Sequence, residues 1–232
     1  MKFTQAPNRW FNRSLRSLGR AKARPLTKRY APQGYRVVAE FEVTGLFYEL
    51  SGRQFRKHLD IKRTTTKGSP DLMVVMMNPG SSYPLDKNNN NNLPSAAVPD
   101  PTQDQIMKVM RNLNFSFARI LNLSDLRNSS SDEFYKFINS AESKEINHSI
   151  FCESRREEFS TLFDHEAPVI YAWGVNKHLE ELANLAIDRV SSKRPIGLTK
   201  PGSTWAYYHP LPRIYSKQQA WVSAITNMSQ GA

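Results

Sequence analysis

Four short stretches of this chain hold groups that can do chemistry. They are Asn78-Pro79-Gly80 at the end of the apolar run in "VVMMNPGSS", Asn122 with Ser124-Asp125, Trp173-Gly174, and His209-Pro210. Together they offer amides, one histidine, tight backbone turns and loose carboxylates. Such groups can hydrogen-bond a planar heterocycle, position a water and stabilise a departing anion. The sequence has no Gly-x-x-x-x-Gly-Lys-Ser/Thr phosphate loop, no Gly-x-Gly-x-x-Gly fingerprint and no Gly-x-Ser-x-Gly elbow. His58, His148, His165, His178 and His209 have no metal-ligand spacing among themselves. Hydride, phosphoryl and acyl transfer are therefore disfavoured, and neither metal nor cofactor is expected. Each stretch also has a plain structural reading. Asn-Pro-Gly is an ordinary turn, Asn122 can satisfy a local backbone group, Asp125 can cap a turn, and a lone histidine can be a hydrogen-bonded structural residue.

What could bring the four together is the order of elements. From Tyr35 to Arg63 the texture predicts two or three antiparallel strands, with turns at Gly45 and Ser51-Gly52. Leu72–Met77 reads as a buried strand, followed by a polar loop containing five consecutive asparagines, 88–92. Asp100-Pro101 has the pattern of an N-cap with proline at the first helical position, opening a helix through Ile106, Met107, Met110 and Leu113. Ala118–Leu123 is a second strand. Ser130 and Glu133 have capping-box spacing for a helix through Phe134 and Phe137. "APVIYAWGVN" is a third strand, and Asn176 caps a helix with Leu179, Leu182, Ala183 and Ala186 on one face. "RPIGLT" and "WAYYHPLP" are short strand candidates, and a last helix from Ser216 should bury Ala220, Trp221, Ala224 and Ile225. Strands alternating with helices predict an α/β fold with three α/β/α layers. The central sheet should be mainly parallel, with an antiparallel meander added near the N-terminus. In such sheets ligands bind beyond the C-terminal strand ends, and all four stretches lie there.

At 232 residues the chain can bury one substantial core, so residues 35–232 are expected to form one domain. The net charge of +11 is uneven: residues 1–34 carry nine basic residues and no acidic one, leaving 23 basic against 21 acidic in the other 198. Three readings fit this basic arm, in which Arg13, Arg16 and Arg20 could pair with phosphates: a nucleic-acid contact, a transit peptide or a solvated tail. Trp10, Phe11, Leu15 and Leu18 could line one face of a short helix within it, with Pro25 and Pro32 marking a linker. Cys152 is the single cysteine, which rules out an internal disulfide and fits a reducing, cytoplasmic setting. No apolar run approaches the ~20 residues a membrane helix needs, and the N-terminus lacks a secretory signal. A monomer without a membrane partner is expected.

The order strand–Asn-Pro-Gly, strand–"ILNL", strand–"YAWG", then "HPLP" resembles the uracil-DNA glycosylase superfamily. Asn78-Pro79-Gly80 resembles the first motif of its mismatch-specific uracil/thymine branch, whose asparagine positions the attacking water. "ILN", ending at Asn122, is similar to the strand whose asparagine reads the extruded pyrimidine. "HPLPR" resembles the His-Pro-Ser-Pro motif, whose histidine stabilises negative charge on the pyrimidine O2 and whose loop enters the DNA minor groove. More closely, "MMNPGSS", "PDPTQ", "NLSDLR", "AWG" and "GLTKPGSTWAYYHPLP" resemble one prokaryotic and phage family, the domain of unknown function numbered sixteen-forty-three, over about residues 70–215.

The resemblance implies a monofunctional DNA glycosylase acting on duplex DNA with a flipped-out, modified or mismatched pyrimidine, with a role in phage defence as one use. Asn78 and His209 would be catalytic. Asn122, Pro79, Gly80 and Asp125 would hold the base, with Tyr83, Phe115 or Phe117 stacking on it. Ser81, Ser82, Gly174, Pro210, Leu211 and Arg213 would contact DNA. Two departures stand out: Leu211 replaces the motif's serine, and Asn78 is a neutral amide that can orient water but cannot take its proton. Asp86, Asp100 or Asp125 would have to supply the base. Small residues at Gly80-Ser81-Ser82, where relatives place a bulky tyrosine, imply a roomy pocket. No lysine lies in the four stretches, so no Schiff-base step is expected. The competing readings are a non-catalytic nucleic-acid or nucleotide-binding module, and an enzyme acting on a free nucleoside.

Overall fold

The computed structural model describes residues 40–230 except 91, 92 and 193; the basic arm with Arg13, Arg16 and Arg20 lies outside the described residues. Two long strands, β1 (Phe41–Leu50) and β2 (Arg53–Arg63), form an antiparallel hairpin. Its loop is Ser51-Gly52, with φ of 51° and 72°; positive φ at both central residues matches the right-handed strand twist. Gly45 is not a turn. It sits inside β1 opposite Leu59, and a side chain there would lie 2.9 Å from the Phe47 ring.

Four further strands complete a sheet in the order β4-β1-β2-β5-β3-β6: β3 (Leu72–Met76), β4 (Ser95–Ala96), β5 (Phe117–Asn122) and β6 (Val169–Ala172). The fold is mixed α/β, but the expected mainly parallel sheet is corrected: β4-β1, β1-β2 and β2-β5 are antiparallel, and only β5-β3 and β3-β6 are parallel. The physical reason is the hairpin. β2 pairs Leu59–Lys62 directly with Phe117–Ile120 of β5, so the hairpin, with β4 paired to its outer strand, forms the antiparallel half of the sheet.

β3 is buried along its whole length, and its side chains alternate between two cores. Met73 and Val75 join Phe134, Phe137, Phe159, Ala183 and Ala186. Leu72, Val74 and Met76 join Ile106, Val109, Met110, Trp221 and Ile225. Among the described residues there are six α-helices: α1 (Pro101–Leu113), α2 (Ser131–Ile138), α3 (Ala141–Glu145), α4 (Arg156–Leu162), α5 (Glu180–Val190) and α6 (Tyr215–Gln230). The predicted caps of the first two hold. Asp100 and Gln103 form a reciprocal capping box on α1, and Ser130 accepts the Glu133 N–H at α2. Asn176 caps a short 3₁₀ turn, Lys177–Leu179, that leads into α5. In α6, Trp221, Val222 and Ile225 are buried while Ala220 is exposed. The Trp221–Ile225 pair, four residues apart, sets the inward face and turns Ala220 away from it. "RPIGLT" and "WAYYHPLP" contribute only single bridges, Ile196 to Ile170 and Tyr207 to Gly174 and Thr199. No helix among the described residues is long and apolar enough to cross a membrane.

Candidate functional site

A cleft of about 130 Å³ opens at the C-terminal end of β3, bounded by Met76 to Gly80, by Asp100, Thr102 and Gln103 of the α1 start, and by His209. Arg56, Ile120, Asn128, Ser129 and Ser131 complete its walls. This is several times the space one water requires.

Asn78 is the residue that β3 delivers to this cleft. β3 ends at Met76, and beyond Asn78-Pro79 the chain turns at Gly80, φ 62°, a left-handed conformation that glycine adopts without strain. The Asn78 Nδ2 donates to the carbonyls of Asn128 (2.7 Å) and Leu126 (3.4 Å). That fixes the amide and leaves Oδ1 as an acceptor without a partner among the described residues. Across the cleft, Asp100 accepts the N–H groups of Thr102 (2.9 Å) and Gln103 (3.1 Å) through Oδ1 alone. Its Oδ2 faces Gly80, lying 3.6 Å from where a side chain on that glycine would begin.

His209 has its tautomer set by the backbone. Leu211 N–H donates to Nδ1 at 3.2 Å, so a neutral ring carries its proton on Nε2. Burial pushes the imidazole down to about 4, against the opposing pull of the Asp100 carboxylate. At neutral pH the ring is an uncharged donor.

Asn122, at the end of β5, is fully buried beneath this cleft. With its amide oriented to satisfy its neighbours, Nδ2 donates to the Asn78 carbonyl (3.3 Å) and Oδ1 accepts from Arg56 Nη2 (3.2 Å). Asn122 thus braces the Asn78 backbone and Arg56 from behind, and is not itself among the residues lining the cleft.

Several expected site residues lie elsewhere. Phe117 begins β5 while Asn122 ends it, which separates the two by roughly 17 Å at strand spacing; Phe117 lines a different cavity, at the opposite sheet end. Phe115 packs against the core shared by α1 and α6. Neither phenylalanine can stack on a ligand in this cleft, and Tyr83 is 45 % exposed outside it. Asp125 is buried away from the cleft, where its Oδ2 takes bonds from Arg155 (2.7 Å) and Tyr48 (3.0 Å). Burial raises its carboxyl to about 6 despite the Arg155 charge. It is a structural acid, not a base-binding one.

Gly174 at φ 110° donates its N–H to the Tyr207 carbonyl (2.7 Å) and closes β6 onto the segment leading to His209. Ser82 is buried, with its carbonyl held by Arg127 (2.8 Å), so it cannot grip a phosphate as it stands. Ser81 and Arg213 are exposed, Leu211 is half-buried, and Pro210 is buried next to His209. Of the three carboxylates considered, Asp86 is exposed and Asp125 sequestered, so Asp100 is the one that reaches the cleft.

Reading the sequence missed Arg56. It is only 2 % exposed, yet it forms part of the cleft wall. Its placement depends on an irregularity in the hairpin: Leu46 pairs with His58 and Phe47 with Arg56, so Lys57 is left without an opposing residue. This bulge reverses the strand's facing. Phe55 joins one core while Leu59 and Ile61 join the other, and Arg56 turns to the cleft side with Phe47. Bulges commonly re-aim a side chain in this way. Unbroken alternation would have placed Arg56 on the opposite face from Leu59, and no residue type in "QFRKHLDI" marks the bulge. Among the described residues no cluster of His, Cys, Asp or Glu could hold a metal ion.

Comparison with protein-family models gives a match over residues 59–211 to the family described as "Protein of unknown function (DUF1643)". The chain belongs to this family. The matched region runs from inside β2 to the residue after His209-Pro210 and includes Asn78, Asp100, Asn122 and His209. Arg56 lies just before it. Comparison with curated proteins and with solved structures gives no match.

Proposed function

We propose that this cleft is the active site of a monofunctional DNA glycosylase. The observation that carries the reading is the gathering of a fixed Asn78 amide, a free Asp100 carboxylate oxygen and a neutral His209 Nε2–H around one small cavity. Support for the finer fold expectation comes from the parallel trio β5-β3-β6 and the separate cores on either side of the sheet. These are compatible with a three-layer arrangement of the uracil-DNA glycosylase type.

The chemistry follows from the groups. A water between Asn78 Oδ1 and Asp100 Oδ2 is oriented by the first and gives its proton to the second. Its oxygen bonds to C1′ as the C1′–N1 bond breaks, and that bond's electron pair leaves with the base. His209 Nε2–H donates to the base oxygen on which negative charge accumulates, acting where the charge develops. Asn78 therefore orders the water and Asp100 activates it, which resolves the difficulty of a neutral amide in the first motif. The base pocket is walled by Met76, Met77, Pro79 and Ile120, with no aromatic stacking partner among its lining residues. The basic arm supplies the phosphate contacts in this proposal, and the partner is duplex DNA with the target pyrimidine flipped out.

The test is an abasic-site assay on duplexes bearing uracil, mismatched thymine or modified pyrimidines. Wild-type protein should generate abasic sites on at least one, and Asp100→Asn should reduce the rate by about 10²–10⁴, the usual contribution of a general base. DNA binding without abasic sites on any of these substrates would favour the non-catalytic binding module instead.

A further inference from the structure

Arg56 raises a question that the proposed mechanism leaves unanswered. Its guanidinium is buried, and among the described residues only Nη2 has a hydrogen-bond partner, Asn122 Oδ1 at 3.2 Å. Nε and Nη1 have none there. No carboxylate among the described residues comes within ion-pair distance of it. Two acids reach it with their charges, Asp100 and Asp125; neither is bonded to it, and Asp100 keeps only Oδ2 toward the cleft. Asp100 Oδ1 caps α1, where the positive end of the helix also offsets its charge. Asp125 is paired with Arg155 at 2.7 Å. Burial lowers the guanidinium only to about 10, so it stays charged at neutral pH. A buried, half-satisfied cation is costly to the free protein, and here a bulge in β2 turns it into the wall of a ligand-sized cleft.

We propose that Arg56 is an anion receptor for a planar, carbonyl-bearing ring that carries a single negative charge. The ligand's ring form rests on reading the cleft as a base pocket; the receptor role rests on Arg56 alone. Two features favour one charge on a ring over a phosphoryl group. The cleft is about 130 Å³, and Asp100 shares it, so a dianion would face a carboxylate at close range. In glycosylase terms the ligand is the departing base. The electron pair of the broken C1′–N1 bond spreads over the ring, and Arg56 compensates it alongside the His209 Nε2–H.

Barbiturate and uracil are rings of similar size, one anionic and the other neutral at pH 7.5, and calorimetric titration of the full chain with each tests the receptor. Wild-type protein should bind barbiturate at least about tenfold more tightly than uracil, a difference of roughly 1.4 kcal/mol. Arg56→Gln should level the two affinities, and Arg56→Lys, which keeps the charge, should retain part of the preference. A melting curve on each variant checks the fold, and Arg56→Gln should melt no lower than wild type because the buried charge is gone. Equal affinities in wild type, no barbiturate binding, or a preference that survives in Arg56→Gln would each overturn the proposal. So would displacement of barbiturate by equimolar inorganic phosphate, which would make this a phosphoryl site. Failure of the abasic-site assay with the ring-anion preference intact would remove the glycosylase reading and leave the receptor standing.

Discussion

Acidification from pH 7 to pH 5 should destabilise this domain strongly, because three histidines are held neutral. Burial is the leading cause in each case: His58, His148 and His209 are all pushed down to about 4. In the unfolded chain they titrate near 6.5. Between those values the unfolded state binds protons that the folded state refuses, so stability falls as pH falls through that window. At pH 5 each histidine forfeits about 2 kcal/mol, roughly 6 kcal/mol together. Asp125 works in the opposite direction. Burial lifts its carboxyl to about 6, so the folded state takes up a proton first, returning about 1 kcal/mol at pH 5. The net loss of roughly 4–5 kcal/mol is a large share of the ~5–15 kcal/mol that holds a domain together. Urea unfolding followed by tryptophan fluorescence at pH 7, 6 and 5 measures it, with the buried Trp173 and Trp221 as reporters. The midpoint should drop at each step, and His148→Gln should flatten the dependence by about 40 %, its ~2 kcal/mol out of the net ~4–5. Equal midpoints at pH 7 and pH 5 would refute the assignment of these rings as neutral and desolvated.

Three further outcomes follow from particular contacts. Arg155→Ala should cost about 3–5 kcal/mol, because it strands the buried Asp125 carboxylate; denaturant unfolding reads this, and a cost below about 1 kcal/mol would contradict the pairing. Gly80→Ala should lower stability by about 1–2 kcal/mol in denaturant unfolding, since φ is 62° there, while the added methyl would meet Asp100 Oδ2 only at an ordinary contact distance of 3.6 Å. Removing residues 1–34 should weaken DNA binding and flatten its salt dependence in a filter-binding titration; unchanged binding would return the arm to the transit-peptide or solvated-tail readings.

Much of the fold could be read because the signals were local. The apolar run Leu72–Met77, the Asp100-Pro101 cap and the Ser130/Glu133 spacing each announce an element within a few residues. The placing of Asn78 and His209 at one cleft followed from the rule that ligands gather at C-terminal strand ends. What the sequence concealed depends on pairing between distant segments. Nothing in "YRVVAEFEVTGLFYELSGRQFRKHLDIKR" states that β2 pairs with β5, and that pairing made the sheet mostly antiparallel. The bulge at Lys57, which has no opposing residue on β1, likewise has no mark in its own residue type, and it alone turns Arg56 toward the site. Phe117 and Asp125 misled for a related reason. Both lie close in sequence to Asn122, but strand rise carries one to the far end of the sheet, and the chain after β5 buries the other against Arg155.

The measurement that bears most directly on the central claim is the count of abasic sites produced by four proteins on one modified-pyrimidine duplex: wild type, Asn78→Ala, Asp100→Asn and His209→Ala. If the cleft is where the glycosidic bond breaks, wild type cleaves it and each variant loses at least tenfold in single-turnover rate while still binding the DNA. A wild-type activity that survives undiminished in all three variants would show that the chemistry happens somewhere else.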